Sequence, residues 1–105
     1  MNTSATINDT DQLVMRLERN HRCVLRMVRK LNSYQFEPKN YDGFVKLQDI
    51  KSGFENLAKE QMLLFNELQN QNLHFYPALD KVKASLKKFN VLEQKVAAYI
   101  LDSHH

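Results

Sequence analysis

The chain has 105 residues, 43% hydrophobic and 26% charged, with a formal net charge of +3. That fits a single folded domain, excludes a disordered tail, and permits an acidic partner without demanding one. Two glycines and two prolines are too few for the turns of a sheet-rich fold, and the lone Cys23 excludes an intramolecular disulfide or a cysteine-rich metal site.

Residues 1–8 are polar and read as a tail. They carry neither the basic start nor the apolar stretch of a signal peptide, and Asn2 in place of glycine excludes myristoylation. Asn2-Thr3-Ser4 and Asn8-Asp9-Thr10 match the glycosylation pattern, but without a secretory signal they read as chance. No run approaches the ~18 apolar residues of a membrane span. The expectation is an intracellular protein of the cytoplasm or nucleus.

A capping box at Asp9 and Gln12 opens the first expected helix, residues 10–32. Val14, Leu17, His21, Val24, Val28 and Leu31 alternate spacings of three and four and form one heptad seam, widened by Leu13 and Met27. Cys23 reads as a small buried apolar residue. The opposite side carries Arg19, Arg22, Arg26 and Arg29 at spacings of three, four and three, with Arg16 and Lys30 nearby. This stripe is a candidate anionic-partner surface, for an acidic protein or for nucleic acid. The plainer reading is a solvated face with local salt bridges such as Glu18–Arg22.

Residues 33–41 form the first connection, where Pro38 argues against a continuous helix. Tyr34, Phe36 and Tyr41, with Phe44 beyond, are expected to pack over the end of a bundle. The second helix is expected over residues 42–73, with Leu47, Ile50, Phe54, Leu57, Gln61, Leu64, Leu68 and Gln71 in its seam and Ala58 and Phe65 beside it. Gly53 either admits a neighbouring helix closely or is merely tolerated. Pro77 is compatible with the first turn of a helix but not with its interior, so a turn at residues 74–76 and a third helix over 77–102 follow. Its seam is Leu79, Val82, Leu86, Phe89, Glu93, Val96 and Ile100, flanked by Leu92, Ala97 and Tyr99. The terminal His104 and His105 carry no functional weight.

These expected lengths differ, about 34 Å for the first helix and about 48 Å for the second. Val28 and Leu31 would then face Leu47 and Ile50, and the first helix would end near Met62–Leu64. The run Met62-Leu63-Leu64-Phe65 covers more than one helix face, and an overhang would leave Phe65, Leu68, Leu73 and Phe75 partly bare. Met62, Leu63, Leu64, Phe65, Leu68 and Phe75 are therefore the expected protein-interface residues. His21, Gln61, Gln71 and Glu93 occupy core-type positions, where polar groups can fix register or partner choice.

Catalytic chemistry finds no constellation. His21 and Cys23 are two apart on a helix and point apart, no Glu-x-x-His pattern exists, and neither glycine lies in a phosphate-binding cluster. His21 and His74 could approach one another, but two separate histidines are a weak metal signal. No catalytic residue, cofactor or metal is expected. The sequence reads as all-α: three long helices in an antiparallel, coiled-coil-like bundle or hairpin. Its expected role is a small structural or adaptor subunit acting through protein contact or self-association, with nucleic-acid binding through the arginine stripe as the alternative.

Overall fold

The computed structural model describes the backbone of residues 2–70 and 75–103 and the side chains of residues 11–69 and 79–102. The fold is all-α. Three helices, α1 (Asn2–Leu31), α2 (Tyr41–Asn70) and α3 (Phe75–Ser103), pack together, with a short 3-10 helix at Tyr34–Phe36 between the first two. The molecule measures 57 × 23 × 18 Å. Helical backbone begins at Asn2, ahead of the start expected at Thr10, and runs through the expected capping box. The side chains of residues 1–10 lie outside the described residues.

The ends of the helices follow from local chemistry. At the end of α1, Asn32 Nδ2 donates to the carbonyl of Val28 at 2.9 Å and Ser33 Oγ to that of Lys30 at 2.7 Å, so carbonyls left over by the last turn are satisfied. Asn40 caps α2, its Oδ1 accepting from the Gly43 amide at 2.8 Å. Pro77 falls in the first turn of α3, where its missing N–H has no intrahelical role.

The core has two segments. Near the first connection, Val24 and Leu31 of α1 meet Leu47, Ile50, Phe54 and Leu57 of α2 and Phe89, Leu92, Val96 and Tyr99 of α3. Toward the other end, Leu17 meets Leu64 and Val82, with Leu13, Phe65, Leu68 and Leu86 packed against them. Late α1, early α2 and late α3 thus share one end, which makes the bundle antiparallel, up-down-up. Ion pairs Lys46–Asp102, Lys95–Asp49, Lys88–Glu60 and Lys81–Glu67 repeat this register along the α2–α3 seam.

Several expectations need correction. The helices have 30, 30 and 29 residues, so α2 is no overhanging spine and α1 reaches along it to Leu68. In α3 the buried line passes through Ser85, Leu92 and Tyr99, and Glu93 is exposed. The rhythm itself is kept, as Val82, Ser85, Phe89, Leu92, Val96 and Tyr99, so every second seam position lies one residue earlier than expected from Ser85 onward. Cys23 is exposed. Of the connection aromatics only Phe36 packs on the core. Tyr34 and Tyr41 are exposed, with Tyr41 stacked on Phe44 at 6.5 Å. Gly53 resolves toward close approach: a Cβ there would lie 2.6 Å from Leu92 Cδ2.

Candidate interaction surface

The Met62–Phe65 run divides by helix geometry. Successive residues are separated by about 100° on a helix, so four in a row cannot share a face. Leu64 is buried in the core and cannot serve as a surface anchor in this fold. Phe65 and Leu68 are half-buried and, with Val14, Met15 and Gln69, line an open hollow between α1 and α2. Met62 and Leu63 point outward and are 53% and 68% exposed. The side chains of Leu73 and Phe75 lie outside the described residues.

One layer of the core is polar. Gln61 is fully buried. Its Nε2 donates to Asn20 Oδ1 at 2.8 Å and to Ser85 Oγ at 3.1 Å, while its Oε1 stands 2.9 Å from His21 Nδ1. Because the amide oxygen only accepts, Nδ1 of the ring is the donor in this bond. The imidazole edge also meets Phe65, with centroids 5.3 Å apart and an interplanar angle of 80°. Sequence reasoning found His21 and Gln61 but missed Asn20 and Ser85, whose short polar side chains leave no periodic signal. Among the described residues no buried side-chain nitrogen or oxygen lacks a partner. Such a completed layer holds the three helices in register. Gln71 and His74 lie outside the described residues.

The outer junction of α2 and α3 carries two adjoining hollows of ≈ 390 and ≈ 270 Å³. Gly53, Leu57, Val91 and Leu92 line the first, and Leu63, Ala84 and Ser85 help line the second. Glu60 and Lys88 border both and are bonded to one another at 2.9 Å. Glu67 is likewise held by Lys81 at 3.2 Å. These carboxylates are already neutralised across the seam. Among the described residues no group of three or more His, Cys, Asp or Glu side chains could hold a metal ion. No helix is long and apolar enough to cross a membrane, within the same residues.

The arginines are disposed differently. Arg16, Arg19, Arg22, Arg26 and Arg29 are all exposed on α1, the last four on the side away from Leu17, Val24 and Leu31 and Arg16 on the flank. Among the described residues none stands within ion-pair distance of a carboxylate, and the expected Glu18–Arg22 bridge is not formed. Every arginine of the chain is in this helix, while nine of its ten lysines lie outside it. From Asn2 to Leu31 there are six basic and three acidic residues, an excess of three that equals the net charge of the whole chain. The remainder, with nine of each sign, is balanced. That segregation was legible in the sequence and is a stronger signal than the stripe's spacing alone. Comparisons with protein-family models, curated proteins and solved structures find no match for this chain.

Proposed function

We propose that this chain is a small non-enzymatic helical subunit, a structural or adaptor component that acts by binding another protein through the outer face of α1. The observation that carries this reading is the row of exposed arginines that, among the described residues, no carboxylate pairs with. Guanidinium groups are weakly hydrated and recognise carboxylate or phosphate through a planar fork. On a purely solvating face the lysines used elsewhere would do as well. The closed core supports the same reading, since neither its apolar seam nor its polar layer needs a second chain to complete it. The exposed thiol of Cys23 suits a reducing compartment, the cytoplasm or nucleus.

The same arginines support a second reading, contact with the phosphates of nucleic acid. Cys23 offers a native handle to separate the two, because it lies four residues after Arg19 and three before Arg26 on one helix. A photoreactive group on this thiol of the full chain is expected to give one discrete protein adduct in extracts of the native cells, suppressed by excess unlabelled chain. Adducts with nucleic acid alone, or no competable adduct, would overturn the protein-contact reading. Light scattering over a concentration series identifies the partner type: a mass of two chains makes the second copy the partner, and a mass of one chain requires a different protein.

A further inference from the structure

We infer that the α1 stripe is shaped for an acidic α-helix of a protein partner, laid lengthwise along α1 with its carboxylates at helical spacing. This rests on the protein-contact reading above and adds the chemistry of the partner.

Three observations lead to it. First, the four arginines form two interleaved heptad steps, Arg19 to Arg26 and Arg22 to Arg29. They run in a line along α1 for about 15 Å, three turns of helix. A second helix packed alongside repeats its own residues at the same interval, so glutamates spaced three, four and three would meet each arginine in turn. Secondly, among the described residues every ion pair is made by a lysine: Lys46, Lys81, Lys88 and Lys95 each reach an acidic group on another helix. The arginines lie on a face that forms no ion pair among the described residues. Thirdly, exposed apolar side chains accompany the stripe. Met15 lies four residues before Arg19, and Leu25 lies between Arg22 and Arg26. Apolar surface gains by meeting a helix flank and gains nothing against a phosphate backbone. Basic charge also does not continue as a surplus around the bundle, since the chain outside α1 is neutral overall.

The test uses the full chain and a synthetic alanine-rich helical peptide bearing glutamates at spacings three, four and three. A second peptide of equal composition has its glutamates spread around the helix, and a DNA duplex serves as the phosphate probe. Fluorescence anisotropy at low salt is expected to rank the aligned peptide above both. The double substitution Arg22→Glu with Arg26→Glu lies on an exposed face and is expected to leave the circular dichroism unchanged. It should weaken the aligned peptide by at least about tenfold and give new binding to a peptide with lysines in place of the glutamates. That charge-swapped rescue is not produced by a merely structural role. Equal binding of the aligned and scattered peptides, or duplex binding that is tighter than either, overturns the assignment. If a Cys23 protein adduct persists while the aligned peptide fails, the acidic-helix inference alone falls. Loss of both removes the protein-contact reading as well.

Discussion

Oε1 of Gln61 on α2 stands 2.9 Å from Nδ1 of His21 on α1, and the same amide bonds Ser85 on α3 through its nitrogen. One side chain therefore fastens all three helices at a single level. A buried amide is tolerable only because its bonds are complete, and removing one partner strands the others.

Gln61→Leu is accordingly expected to destabilise the fold by about 1–3 kcal/mol, since Ser85 would be left buried without a partner. Adding Ser85→Ala should recover part of that loss, because the stranded hydroxyl is then gone. Urea unfolding of both single variants and the double gives the coupling energy. Additive losses would mean that the two side chains are not energetically linked. A Gln61→Leu chain that is more stable than the parent and keeps its mass in solution would remove any role for the layer in specifying the bundle.

The sequence made most of this core legible, because Leu17, Val24, Leu31, Leu47, Ile50, Phe54, Leu57 and Leu64 keep the three-four rhythm closely enough to be read directly. It failed where geometry outside the pattern decided. Glu93 satisfied the rhythm, but Leu92 satisfies it equally, three residues after Phe89 and four before Val96, and Leu92 is the one that is buried. The overhang inferred for α2 depended on where α1 and α2 begin and end, and helix boundaries are the least certain part of a periodic reading. Among the expected interface residues, Met62 and Leu63 are on the surface and Leu64 is not. Periodicity identifies the line that is buried, but it does not say which neighbour covers the rest.

Gly53 illustrates such a neighbour. A methyl group there would gain up to about 1 kcal/mol of helix propensity, but it would meet Leu92 Cδ2 at 2.6 Å. Leu92 is 9% exposed and must turn toward the adjoining hollow to give way. Gly53→Ala should therefore lose about 1 kcal/mol net, the overpacking exceeding the propensity gain. In the Leu92→Ala background the same change should become stabilising. Chemical denaturation of the four proteins checks this, and a stabilised single variant would show that Leu92 moves freely.

Tyr99 gives the fold an alkaline limit. Its hydroxyl donates to the Phe36 carbonyl at 2.8 Å, and burial raises its pKa above the ordinary 10.0. The folded state thus holds this proton more tightly than the unfolded chain. The resulting stabilisation is fully present below pH 10.0 and is lost as pH rises through the folded-state pKa. Tyr99→Phe should cost about 1 kcal/mol at neutral pH through the lost bond. Thermal melts of the two proteins should converge above pH 10.0, where the parent begins to pay for its buried phenolate. A constant gap between them across that range would contradict the linkage.

Leu63 and Leu64 separate the two jobs of one hydrophobic run. Leu63 is 68% exposed and Leu64 only 5%, although they are adjacent in sequence. Leu64→Glu would bury a carboxylate among Leu17 and Val82, while Lys81 and Lys88 at the adjoining hollow are already bonded to Glu67 and Glu60, and the charge should unfold the bundle or cost more than about 3 kcal/mol. Leu63→Glu should change stability by no more than about 0.5 kcal/mol. Because a loss of association in Leu64→Glu could arise from unfolding alone, only the Leu63 variant can report on a surface role for this run. If Leu63→Glu keeps its circular dichroism but loses the Cys23 adduct, the partner extends from α1 across the outer face of α2. If the adduct is unchanged, contact is confined to the arginine face and Leu63 is an isolated apolar residue of the kind most protein surfaces carry.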